Sequence, residues 1–129
     1  KKYDLDFYKI CDVFVLPVSF ILILGRLTNY LNQELLGRCF LGVCHLYTLY
    51  SAFLHLVLFL VLVLIYKKNF KKGVLFFSFI LGYGILRFVT EFFRDNVKFL
   101  EMSGWQIGSI ILIIIGVVFL RRLKVGFKE

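Results

Sequence analysis

Tyr83, Arg87, Glu91 and Arg94 interrupt one of the apolar stretches of this chain at intervals of four, four and three residues. That spacing puts all four side chains on one helix face. A charge near the middle of a bilayer costs several kcal/mol unless it is paired or wet, so such residues are functional by default. A local Arg87–Glu91 ion pair holding helices together is one reading. It leaves Arg94 unmatched, and Arg before Glu is the weaker order for a local pair. An anionic ligand would complete the balance, and planar guanidinium forks suit phosphate.

A second polar group follows the first apolar run, in Gly25–Arg38, GRLTNYLNQELLGR. If this stretch is helical, Arg26, Asn29, Glu34 and Gly37 share one broad face. A snorkelling interfacial helix is the plainer alternative, but such a helix needs cations and not the Asn and Glu beside them. Taken together, Arg26, Arg87 and Arg94 in the outer half of a bilayer point to a phospholipid headgroup site, with Glu34 and Glu91 orienting the arginines. His45 opens the next apolar run with Tyr50 five residues on, and a lone histidine there is more often structural. His55, deeper in that run, reads as a packing residue. Gly82 and Gly84 flank Tyr83 and would let a helix or a lipid approach closely. Cys11, Cys39 and Cys44 lack metal-ligand spacing; Cys39 and Cys44 could pair in an oxidising compartment, although small apolar residues are the better reading.

The elements that must position these residues are membrane helices. Sixty per cent of the 129 residues are hydrophobic, 16 of them phenylalanine, and they fall in long runs. A soluble domain averages about 45–50% apolar. The expected fold is all-α, a polytopic transmembrane bundle of about four spans with a polar outer-side connection. The spans are expected near Phe7–Leu24, Leu46–Ile65, Val74–Phe93 and Ile107–Leu120. The first contains Asp12 and Pro17, and the first and fourth are short against the roughly 20 residues of a span, so both should extend into their flanks. Trp105 and Arg121-Arg122 bound the fourth.

Net charge is +8, but the cations cluster between apolar runs, which membrane topology explains better than nucleic-acid binding. Eleven of the 16 Lys and Arg lie up to Lys9, in Lys67–Lys72 or from Arg121 onward. The positive-inside rule then places both ends in the cytoplasm, and Gly25–Cys44 and Arg94–Gly104 on the outer side. There is no internal repeat or low-complexity linker. Residues 1–129 read as one transmembrane domain. With Lys1 in place of an initiator methionine and no readable cleavage site, the chain is expected to be part of a longer protein.

These motifs resemble those of prolipoprotein diacylglyceryl transferases. GRLTNYLNQELLGR at Gly25–Arg38 is similar to the family signature GRxGNFxNxExxG. Leu5–Pro17, LDFYKICDVFVLP, resembles the segment leading into it, and His45–Ala52, HLYTLYSA, resembles HPxQLYEA. Gly82–Arg94, GYGILRFVTEFFR, matches a late helix, and Gln106–Ser109 gives a weaker match. Order and spacing agree from Leu5 to about Leu120. Thr28 stands at the signature's second glycine, Leu46 at a usual proline and Ser51 at a usual glutamate.

The resemblance implies transfer of the diacylglyceryl group of phosphatidylglycerol to the lipobox cysteine of a prolipoprotein signal peptide. A thioether forms and glycerol 1-phosphate leaves, with no metal or cofactor. It implies a multi-pass protein of the bacterial cytoplasmic (inner) membrane among membrane lipids, with no nucleic-acid partner. Arg26, Asn29, Glu34, Tyr83, Arg87 and Glu91 are the implied catalytic residues. Arg26, Arg87, Arg94, Gly37, His45 and Tyr50 are the implied phosphatidylglycerol contacts. The family's proteins are about twice this length, with seven spans and an upstream His-Gly motif, so the chain would be their carboxy-terminal portion. The alternative is a non-catalytic phospholipid-binding remnant or accessory subunit of the same ancestry. A transporter or channel would need polar residues along more than one span, and the second and fourth are nearly free of them.

Overall fold

The computed structural model describes residues 6–32, 39–40, 43–44, 47–68, 70–92 and 104–123. Four helices account for almost all of them: α1 (Phe7–Leu31), α2 (Tyr47–Lys67), α3 (Val74–Glu91) and α4 (Gly104–Arg122). Each is long and apolar enough to cross a membrane. Between α1 and α2 lies a minimal antiparallel ladder, β1 (Cys39–Phe40) with β2 (Val43–Cys44), whose register makes Cys39 and Cys44 partners.

Every span differs at its edges from the sequence reading, and α1 differs most. It runs through Pro17 and two turns past Leu24, ending at the Asn32 cap, whose N–H bonds to the Thr28 carbonyl. Polar residues do not stop a helix that reaches the interface. Here the Thr28 hydroxyl bonds back to the Leu24 carbonyl at 3.0 Å and keeps the turn intact. Arg26 and Asn29 therefore belong to the end of α1 and not to a separate connection.

The helices run alternately up and down. Asp6, before α1, pairs with Lys72 at 2.7 Å. Asp12 of α1 accepts the N–H groups of Gly73 (2.6 Å) and Phe76 (2.9 Å), capping α3 from a neighbouring helix. A Cβ built on Gly73 would meet Tyr8 and Leu123 at 3.1 and 3.4 Å, so the end of α4 reaches the same place. The start of α1, the α2–α3 turn and the end of α4 thus share one end of the bundle, and that end carries Lys9, Lys67, Lys68, Lys71, Lys72, Arg121 and Arg122.

Helix α3 is central and touches the other three; among the described residues α4 packs on α3 alone. Val15, Leu62 and Leu75, from α1, α2 and α3, form the core near the cationic end. Phe77 stacks on Phe119 with ring centroids 4.5 Å apart. Beyond it α3 and α4 meet backbone to backbone at two glycines. A Cβ on Gly116 would lie 2.7 Å from Leu81 Cβ, and one on Gly84 3.1 Å from the Ser109 carbonyl. Gly82 turns the other way, toward Leu58 of α2. The remaining faces carry exposed Phe, Leu, Ile and Val, which suits contact with lipid tails.

Candidate functional site

The polar residues of α2 and α3 form two facing stripes. On α2, Tyr47, Ser51 and His55 recur every four residues and all three are buried. On α3, Tyr83, Arg87 and Glu91 do the same, with Arg87 and Glu91 buried and Tyr83 half-buried. Because the helices are antiparallel, the stripes meet in reverse order. Arg87 Nη1 donates to the Tyr47 hydroxyl at 3.3 Å, and the His55 and Tyr83 rings meet edge to face at 5.9 Å.

Arg87 is 8% exposed and is held from two sides. Besides the Tyr47 contact from α2, its guanidinium lies over the Trp105 ring of α4, 4.9 Å from the centroid, within cation–π range. Trp105 is fixed in turn by α4, where the Ser109 hydroxyl donates to its carbonyl at 2.7 Å. These contacts hold the plane of the guanidinium and leave its Nε, which is buried, with no hydrogen-bond partner among the described residues.

Arg26, half-buried, enters from α1. Arg26 and Arg87 stand on neighbouring helices, since α1 packs on α3 as well as on α2. Their depths agree. At 1.5 Å per residue Arg26 lies about 29 Å along α1 from Phe7. Asp12 fixes the start of α3 about 8 Å along the same axis, and parallel axes then put Arg87 at about 27 Å. Both levels fall near the far boundary of a hydrocarbon core about 30 Å thick. His55, level with Tyr83, sits about one turn deeper.

Beside this region, between α1 and α2, an open apolar groove of about 450 Å³ is lined by Ile23, Leu27, Leu49, Tyr50, Ala52, Phe53 and Leu56. Tyr50, 51% exposed, belongs to this groove and not to the polar stripe.

The structure therefore brings together Arg26, Tyr83, Arg87 and Glu91 of the residues expected from sequence, with Asn29 half-buried one turn beyond Arg26. Glu34, Gly37, His45 and Arg94 lie outside the described residues. Sequence reasoning missed Tyr47 and Ser51, and it took Trp105 for a boundary marker. His55 it took for a satisfied packing residue. Only half of that holds: Nδ1 is 2.6 Å from the Ser51 carbonyl, but Nε2 is buried with no partner among the described residues. The signal was present, since Tyr47, Ser51 and His55 repeat the four-residue interval of Tyr83, Arg87 and Glu91.

Two guanidinium groups at one depth, one held flat by an aromatic ring, can grip a phosphate and take up charge that develops on it. An apolar groove alongside suits acyl chains.

Known proteins agree in kind. The family model for prolipoprotein diacylglyceryl transferase matches residues 1–122. A phosphatidylglycerol–prolipoprotein diacylglyceryl transferase of Campylobacter lari is 33% identical over 96% of this chain and 52% of its own length. Those of Chlorobaculum tepidum (33% identical, 91% and 47%) and Ehrlichia ruminantium (32% identical, 98% and 58%) are similar. The chain spans about half the length of these curated relatives. No solved structure matches it. By the family match over nearly all of its residues, the chain belongs to the prolipoprotein diacylglyceryl transferase family.

Proposed function

We propose that this chain supplies the phosphate-gripping part of a phosphatidylglycerol–prolipoprotein diacylglyceryl transferase, at the outer side of a bacterial cytoplasmic membrane. The observation that carries the reading is the buried Arg87, held between the Tyr47 hydroxyl of α2 and the Trp105 ring of α4, with Arg26 at the same depth on α1, which packs on both α2 and α3.

The reaction needs that pair. The lipobox cysteine sulfur attacks the glyceryl carbon that carries the phosphate ester. A carbon–sulfur bond forms, the carbon–oxygen bond breaks, and its electron pair leaves with glycerol 1-phosphate. The thiol proton passes to a base. The phosphate begins with one negative charge and departs with a second, so preorganised cations stabilise the transition state more than the bound lipid. Arg26 and Arg87 take the phosphate oxygens, and Trp105 and Tyr47 keep the Arg87 fork aimed. Asn29 supplies a hydrogen bond at the rim and Tyr83 one from a turn deeper, and Glu91, one turn from Arg87, steadies its charge. The acyl chains lie in the groove past Tyr50. The outer-side placement rests on the cationic end of the bundle, which the positive-inside rule assigns to the cytoplasm.

The test is transfer of labelled diacylglycerol from phosphatidylglycerol to a lipobox peptide by the full-length product of the reading frame. Arg26→Ala and Arg87→Ala are each expected to lower the rate about 10²–10³-fold. Arg87→Lys keeps the charge but loses the flat fork over Trp105, and should recover little. Undiminished binding and transfer in either alanine variant would sink the assignment of the arginines. No transfer by the unaltered product would reject the enzyme in favour of a lipid-binding remnant.

A further inference from the structure

His55 is 2% exposed, and among the described residues a single hydrogen bond orients its ring. A carbonyl oxygen can only accept, so the 2.6 Å contact with the Ser51 carbonyl puts the proton on Nδ1. In the neutral ring Nε2 is then an acceptor with its lone pair outward. That atom is buried with no hydrogen-bond partner among the described residues, and so is the Ser51 hydroxyl one turn away. A buried acceptor left unmade forfeits a hydrogen bond and its hydration, and such atoms in native proteins call for a reason. The reason lies in the position: Tyr83 beside the ring, Arg87 one turn from Tyr83 on the facing stripe of α3, and a depth about one turn below the two arginines.

We propose that His55 is a substrate contact whose Nε2 accepts a hydrogen bond from an X–H donor of the bound substrate, one turn below the phosphate-gripping arginines. Phosphate and ester oxygens offer no proton, so they do not fit. The donors that fit are a hydroxyl of a polyol headgroup and the thiol of the incoming cysteine. The inference rests on the phospholipid reading above for its substrates, but not on transfer being catalysed.

Two substitutions separate a substrate contact from a structural one. His55→Gln places an amide oxygen near the position of Nε2 and gives up the Ser51 contact. His55→Asn keeps a donor near Nδ1 for the Ser51 carbonyl and has nothing at Nε2. A purely structural histidine is better replaced by Asn; a substrate contact is better replaced by Gln. The full-length protein in nanodiscs is titrated with phosphatidylglycerol and with phosphatidylpropanol, which has the same headgroup length without hydroxyls. Transfer is then measured against peptide concentration.

If the donor is the headgroup hydroxyl, the unaltered protein and His55→Gln prefer phosphatidylglycerol about tenfold, and His55→Asn binds the two lipids alike. If the donor is the thiol, lipid binding is the same in all three proteins. His55→Asn then loses at least tenfold in kcat/KM for the peptide, and His55→Gln retains more. Either pattern supports the contact. Gln and Asn variants that match each other in lipid preference and in peptide kinetics overturn it, whether or not the protein proves to be a transferase. Absence of transfer by the unaltered protein, with the hydroxyl preference present in it and in His55→Gln and lost in His55→Asn, removes the enzyme reading and leaves this contact standing.

Discussion

Substituting Gly116 by alanine probes the contact that holds Trp105 against Arg87. The added Cβ would sit 2.7 Å from Leu81 Cβ and 3.0 Å from both Leu81 Cα and N. Two of the three opposing atoms are backbone, so no side chain can swing away, and the helices must part. Restoring an ordinary carbon–carbon separation of about 3.5 Å requires about 0.8 Å of movement. Overpacking of this kind costs about 1–3 kcal/mol. The same substitution gains up to about 1 kcal/mol of helix propensity, which would mask the clash if read alone. Gly108→Ala corrects for it, because a Cβ there meets nothing within 4 Å in the same helix. Relative to Gly108→Ala, Gly116→Ala should lower the folded-to-unfolded ratio roughly 5- to 150-fold in a denaturant titration in detergent micelles. A second readout follows from rigidity. Trp105 lies about 16 Å along α4 from Gly116. A displacement carried along the helix moves its ring from 4.9 Å toward the roughly 6 Å limit of attraction to the Arg87 guanidinium. Trp105 is the sole tryptophan in these 129 residues, so its emission reports that change directly. Equal stability of the two alanine variants, with unchanged Trp105 emission, would refute the backbone-to-backbone packing of α3 and α4.

Asp12→Ala should destabilise the start of α3 by about 2 kcal/mol, because two backbone N–H groups lose a charged acceptor. Hydrogen exchange at Gly73 and Phe76 should accelerate, with Asp12→Asn falling between, and unchanged exchange at both amides would exclude the cap. The hydrogen bond and charge of Lys72 hold the Asp6 carboxyl below its ordinary value of 3.8, against a smaller opposing effect of desolvation. A depressed folded value means the pair contributes above pH 3.8 and is lost as pH falls through the lower folded value. Carboxyl titration by NMR should show Lys72→Gln returning Asp6 to the ordinary range, and an unmoved midpoint would contradict the pairing.

What could be read from the residues follows the range of the forces involved. The four spans were legible because lipid imposes a long apolar run and water a charged break, and both are local in sequence. The shared face of Tyr83, Arg87 and Glu91 was legible because the helix period is local too. The end of α1 was not. Gly25–Leu31 has the composition of a connection, and only the geometry shows Thr28 bonding back to Leu24 to carry Arg26 on the helix. Asp12 read only as a polar residue within the first span because its partners are about 60 positions away. His55 looked like packing because its meaning depends on which stripe of α3 it faces.

The distribution of the site over α1, α2 and α3 has a chemical consequence. Arg26 and Arg87 carry like charge, and bringing two guanidinium groups to one depth opposes the packing of their helices. The structure offsets this locally, by the Trp105 face against Arg87 and by the buried Glu91 one turn away. It also offsets it at the opposite end, where Asp12 fastens α1 to α3 by two hydrogen bonds. The fastening lies about 20 Å from the arginines along the helix axes. It can fix the spacing of the two helices without neutralising either cation. A site meant to hold a phosphate needs that division: rigid where it is assembled, and cationic where it binds.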